Sequence, residues 1–145
     1  MAEGTRGGKG TVTKTLDLPA RAEDVWAVVG DFNGLARWNA GVARSDLSHE
    51  GQRRTLTLKA GGTVVEDLVE YDWAARRCSY RIVESAVPVV QHKATLSVID
   101  RGPGRATVHW TCEFYPKDVD VETVTAIFSA IFDRGLSQLE QIFRK

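Results

Sequence analysis

Polar and apolar positions alternate along most of the chain, and the alternation gives way to a longer period in two places. Residues 11–18, "TVTKTLDL", alternate and stop at Pro19, which predicts a first strand. "AEDVWAVVGDF" then sets Val25, Val28, Val29 and Phe32 at helical spacing, with Glu23 and Asp24 in the first turn. "GLARWNAG", bounded by Gly34 and Gly41, predicts a short second helix or turn. Alternation resumes in runs near 42–48, 53–59, 63–71, 77–84, 92–99 and 106–114, separated by "HEGQ", "AGG", "DWAAR", "ESAVP" and "DRGPGR". Strands this short and evenly spaced predict an antiparallel meander. From Asp118 the period is helical again: Val121, Val124, Ile127, Phe128, Ile131, Phe132, Leu136, Leu139, Ile142 and Phe143 form a broad apolar stripe. One helix of about six turns, ending near Phe143, is expected there. It contains Gly135, which costs about 1 kcal/mol relative to alanine in a helix interior.

Alternation also assigns faces. Val108, Trp110, Cys112 and Phe114 share the core face of their strand, as do Cys78, Tyr80 and Ile82 on another, and His92, Ala94, Leu96 and Val98 on a third. Leu56 and Leu58 face inward with Arg54 in phase. A turn at "AGG" is expected to set Leu58 near Val64 and Leu56 near Glu66, with Arg54 one step further along. Glu66 is in step with Val64 and Leu68, so a carboxylate falls on the inner face. Such a group is costly unless paired, protonated or wetted.

Composition narrows the partners. The 145 residues fit one domain, with a Gly-rich lead over 1–10 expected to be flexible and a folded domain over 11–145. Nineteen basic residues balance nineteen acidic ones, which argues against nucleic acid and anionic membranes as partners. No apolar run approaches the roughly 20 residues that span a bilayer, and none resembles a signal peptide. A cytoplasmic protein is expected. Cys78 and Cys112 lie on strands with one strand between them, too far apart for a disulfide. His49, His92 and His109 lack metal-ligand spacing, "GTRGGKG" follows no strand as a phosphate loop would, and no metal or cofactor is expected. No motif indicates a protein partner.

Several residues together resemble one superfamily. They are "VW…DF…W" (Val25, Trp26, Asp31, Phe32, Trp38), Arg54, "E-D-L…D" (Glu66, Leu68, Asp72), "Y-R-I" (Tyr80 to Ile82), Pro88, "W…F" (Trp110, Phe114) and "GL..L" (Gly135, Leu136, Leu139). In order and spacing the chain, from about residue 12 to 143, resembles the START-like, or Bet v 1-like, superfamily (SRPBCC). Within it the resemblance is to the polyketide cyclase/dehydrase-type branch. The resemblance implies an α+β helix-grip fold: a curved seven-stranded antiparallel sheet around a long C-terminal helix, with two short helices between strands 1 and 2. It also implies an apolar cavity between sheet and helix. The plant abscisic acid receptors share that fold, and residues 64–82 align with theirs without a gap. By that comparison Val64, Glu66, Tyr80, Ile82, Val89, His92 and Ala94 line the cavity from the sheet, and Ile127, Ile131 and Gly135 from the helix. Leu56 and Trp110 extend the lining, and Trp38 and Asn39 close one end. "LKAGGTV" and "ESAVPVVQ" stand where those receptors carry their gate and latch and differ from both, which argues against a hormone-receptor role.

The resemblance implies a small hydrophobic ligand, aromatic or polyketide-like. Cyclisation or dehydration of such a molecule needs a base and an acid, and Glu66, His92 and Tyr80 are candidates, with Arg54 orienting the carboxylate. Each has a plainer reading. Glu66 is a structural partner of Arg54, Tyr80 buries its ring, and His92 is a packing or solvated residue. Lys14 is a weak Schiff-base candidate that more simply extends to water. A carrier that binds and releases a lipid, quinone or other metabolite without chemistry uses the same polar groups. An interaction module, whose ligand alters a loop that a partner reads, is the third reading.

Overall fold

The computed structural model of the chain describes residues 8–144, so most of the expected lead, residues 1–7, lies outside it. Strand β1 (Gly10–Leu18) leads into helix α1 (Ala22–Val29) and a 3₁₀ turn at Leu35–Arg37. Strands β2 (Val42–Ser48), β3 (Arg53–Leu58), β4 (Thr63–Asp72), β5 (Arg77–Glu84), β6 (Val89–Asp100) and β7 (Ala106–Pro116) follow, and helix α2 (Val121–Ile142) ends the order. All strands join one antiparallel sheet ordered β1-β7-β6-β5-β4-β3-β2. This is the helix-grip arrangement, with the second short helix reduced to a single 3₁₀ turn.

Helix α2 starts where its sequence says it should. Asp120 caps it, its side chain accepting the Thr123 backbone N–H at 2.9 Å, and Glu122 favours the positive end of the helix dipole. Val124, Phe128, Phe132, Leu136 and Leu139 form its buried stripe. Phe132 stacks on Trp110 of β7 with ring centroids 4.0 Å apart, and Phe128 meets Phe114 at 5.1 Å. Each such ring removed from water contributes about 1.5–3 kcal/mol. Gly135 does not face the cavity as expected. A Cβ there would sit 3.0 Å from Trp110 Cζ3 and 3.2 Å from Trp38 Cζ3, so the glycine lets the helix lie against two indoles.

Breaks in the ladders bend the sheet around α2. The β4–β5 register shifts between Val65 and Glu66 and again between Leu68 and Glu70, and the β6–β7 register shifts between Val90 and Lys93. The β3–β4 hairpin is also displaced from the expected register. Leu56 pairs with Val64 and Arg54 with Glu66, two residues away from the sequence-based pairing. The cause is the turn, which closes one residue earlier. Gly61 N–H donates to Leu58 O and Leu58 N–H to Gly62 O, both at 3.0 Å, letting Gly61 and Gly62 take φ of 110° and 85°. A displacement of two residues preserves the faces, so Glu66 remains inward.

Candidate functional site

The sheet and α2 enclose a cavity of about 570 Å³. Its walls are mainly apolar, including Leu35, Val42, Leu56, Leu58, Val64, Ile82, Val87, Trp110, Phe128, Ile131 and Phe132. Glu66, Tyr80, His92 and Asn39 supply buried polar groups to the same space. The turns Lys59–Gly62 and Ser85–Val87, with Gly41 and Arg134, complete it.

Arg54 and Glu66 face each other across β3 and β4. Arg54 Nε donates to Glu66 Oε1 at 2.8 Å and Nη2 lies 2.7 Å from the same oxygen. Nη1 donates to the Phe32 carbonyl, and the guanidinium lies 4.2 Å from the Phe32 ring centroid and 4.9 Å from that of Tyr80. Both side chains are buried, which is tolerable because each charge meets the other and the cation's remaining face is covered by rings. Two donors converge on Oε1. Among the described residues none reaches Oε2, and Glu66 lines the cavity while Arg54 stands behind it.

His92 is in phase with Ala94 on the inner face of β6 and adjoins the β6 irregularity, where Gln91 takes a φ of 53°. The β5–β6 ladder ends at the Tyr80–Ala94 pair. Beyond it the imidazole replaces a backbone acceptor: Ile82 N–H donates to His92 Nδ1 at 3.0 Å. An accepting Nδ1 requires the proton on Nε2, so the neutral ring presents a donor. Burial pushes the His92 pKa down to about 4 and reinforces that state. Ile82 is also the cross-strand partner of Glu66, which brings carboxylate and imidazole to neighbouring positions.

Tyr80 completes the cluster, its ring 6.3 Å from that of His92. Its hydroxyl oxygen accepts Trp110 Nε1–H at 3.1 Å, leaving its own proton free to donate. Burial, reinforced by the charge of Glu66, holds the phenol above its ordinary pKa and keeps it protonated. The cluster therefore offers one carboxylate oxygen and two neutral donors.

Other expected positions fall outside the cavity wall. Trp38 lies behind Trp110, with ring centroids 5.1 Å apart. Ala94 is fully buried in the core, Val89 sits at the start of β6, and Ile127 is half-buried on a flank of α2; none of the three lines the cavity. On the helix the lining falls on Phe128, Ile131 and Phe132, because the face is turned by about one residue from the expected one. Lys14 is drawn to Asp133 of α2 at 3.2 Å and does not line the cavity. Cys78 and Cys112 are free, and burial pushes their thiols up to about 11 and about 12. Among the described residues, no cluster of three His, Cys, Asp or Glu forms a metal site, and no helix is long and apolar enough to cross a membrane.

Residues 9–144 match the family model described as polyketide cyclase / dehydrase and lipid transport. The chain belongs to this family. No curated protein sequence matches it significantly. Among solved structures, the protein XoxI from Bacillus cereus is 28% identical with a TM-score of 0.90, over 92% of this chain and 95% of that one. Norcoclaurine synthase from Thalictrum flavum superposes with a TM-score of 0.74 at 16% identity, over 94% and 87% of the two chains. A Streptomyces aromatase/cyclase gives 0.72 at 20% identity, over 92% and 93%. At those last two identities the likeness is one of fold. In this chain the space between sheet and helix contains the Glu66–Tyr80–His92 cluster.

Proposed function

We propose that the protein binds a small, largely apolar molecule, aromatic or polyketide-like, in the central cavity. The observation that supports this most directly is a roughly 570 Å³ apolar space in which Glu66, Tyr80 and His92 retain hydrogen-bonding capacity. Apolar walls supply affinity, and a few fixed polar groups supply orientation. Tyr80 and His92 as donors suit a carbonyl oxygen, and the free oxygen of Glu66 suits a hydroxyl. Native mass spectrometry of the purified protein tests the reading: a retained apolar molecule of that kind supports it. An empty protein that also leaves a neutral solvatochromic dye such as Nile red in water overturns it.

A second reading, cyclisation or dehydration of the bound molecule, is favoured by the pairing of one carboxylate with two neutral donors. Glu66 Oε2 takes a proton from the carbon beside a carbonyl, while Tyr80 O–H and His92 Nε2–H stabilise the enolate oxygen. The carbanion carbon then bonds to a second carbonyl carbon of the same chain. Glu66 returns its proton to the resulting alkoxide, giving a hydroxyl. It then takes the second proton from the same carbon and passes it to that hydroxyl, which leaves as water as the carbon–carbon double bond forms. Arg54 keeps the carboxylate in place throughout. Glu66→Gln separates the readings: lost turnover with affinity retained within about tenfold supports chemistry. Weakened affinity with any turnover surviving at saturation leaves Glu66 an orienting group. The aromatase/cyclase and norcoclaurine synthase that share the fold lend the chemical reading analogy only. A cytoplasmic setting goes with this proposal, and two buried free thiols are compatible with reducing conditions.

A further inference from the structure

The charged side chains around the cavity are unevenly distributed. Glu66 is buried and bonded to Arg54. Lys59 and Arg134 also border the cavity, but both are exposed, so they mark its solvent side. Among the described residues, neither forms an ion pair. Among the described residues, no acidic side chain other than Glu66 lines the same space.

The two residues come from distant parts of the chain, the β3–β4 turn and α2, and both adjoin Gly41, Lys59 through its backbone and Arg134 through its guanidinium. Lys59 N–H donates to the Gly41 carbonyl at 3.0 Å. Arg134 Nη1 lies 3.3 Å from where a Cβ on Gly41 would stand. The bare glycine therefore lets the guanidinium close over the same backbone that carries Lys59. Nineteen basic and nineteen acidic residues cancel over the whole chain, so this local excess of positive charge is a feature of the mouth.

We propose that the ligand is an amphipathic acid, with its apolar body in the cavity and a carboxylate between Lys59 and Arg134 at the mouth. This rests on the cavity-binding reading above and adds the charge of the ligand to it. An oxygen at the far end of the molecule meets Tyr80 and His92. The guanidinium and the ammonium attract the carboxylate where the cavity wall excludes part of the solvent, and salt screens the attraction because both cations are exposed. A neutral ligand of the same shape gains nothing from either side chain.

The test uses Nile red, which is uncharged, as the reporter, and naphthylacetate and its methyl ester as competitors. At low ionic strength the acid is expected to displace the dye at a concentration about three- to tenfold lower than the ester. That preference should shrink at high salt. In a K59Q/R134Q double variant, which alters only exposed side chains, the acid-to-ester ratio should fall to about one by the same reasoning. Displacement by the ester equal to or better than displacement by the acid would overturn this inference while leaving the cavity reading intact. So would a preference that survives in the double variant. If Nile red does not bind, or neither competitor displaces it, the cavity reading fails and this inference fails with it.

Discussion

Protonating His92 means placing a charge in the core and giving up the bond that Nδ1 accepts from Ile82 N–H. Its pKa lies at about 4 in the folded protein, against the ordinary histidine value of 6.5. The unfolded chain thus binds the proton first, and stability falls as pH drops through the window between the two values. The two-state linkage relation gives a loss from this residue of a little under ~1 kcal/mol at pH 6, about 2 at pH 5 and about 3 at pH 4. Above pH 7 both states are neutral and the contribution is absent. The comparison protein is His92→Asn, whose side-chain oxygen can still accept from Ile82 N–H but does not titrate in this range. Urea unfolding at a series of pH values, extrapolated to water, measures both proteins. Wild type should be more stable at pH 8, because asparagine cannot reproduce the stack of the imidazole on Phe128. The gap should narrow by about 2 kcal/mol on descending to pH 5. Asp67, Glu113 and Asp120, whose partners hold their carboxyls below the usual range, contribute equally to both profiles and cancel in the difference. Parallel profiles from pH 8 to pH 4 would refute the argument and mean that water or a neighbouring carboxylate already supports the charged ring.

Three further outcomes follow from the packing. Arg54→Met strands the Glu66 carboxylate and should cost about 3–5 kcal/mol in chemical denaturation, whereas Arg54→Met with Glu66→Leu should recover most of the loss; no recovery would mean that Arg54 acts mainly through Phe32 and Tyr80. Gly135→Ala gains about 1 kcal/mol of helix propensity but presses a methyl on Trp110 and Trp38, an overpacking cost of about 1–3 kcal/mol. A melting temperature unchanged or lowered by a few degrees is expected, and a clear rise would show that the indoles yield freely. Tyr80→Phe leaves Trp110 Nε1–H without its acceptor and should lose about 1–3 kcal/mol of stability. The same variant should bind ketones more weakly than matched hydrocarbons in calorimetry, and equal losses for both would remove Tyr80 from ligand recognition.

The strand faces were legible in the sequence because alternation encodes them, and phase puts Arg54, Glu66 and Tyr80 on the inner face, where the structure has them. What alternation does not encode is where a turn closes. Both glycines of "AGG" can take positive φ, and the choice between two turn centres moved the partner of Glu66 from Leu56 to Arg54. The accepting role of His92 was equally hidden, since it depends on where the β5–β6 ladder stops. On α2, Ile127 and Phe128 belong to one broad apolar stripe, and only packing against the sheet decides which of them borders the cavity. Lys59, Ala86 and Arg134 were missed because turns and exposed helix positions have no periodicity that would mark them.

The early closure of the β3–β4 turn links the two ends of the cavity through the length of one hairpin. The same four residues, Lys59–Gly62, border the mouth and fix which side chain stands opposite Glu66. Reshaping this loop by insertion or deletion is therefore an electrostatic change at depth as well as a steric one at the entrance. A change that moved the pairing by two residues would place Leu56 opposite the carboxylate and remove its guanidinium partner without altering any residue of the buried cluster. In this hairpin the length of the loop therefore acts as a setting of the interior charge, separate from the identity of every core residue.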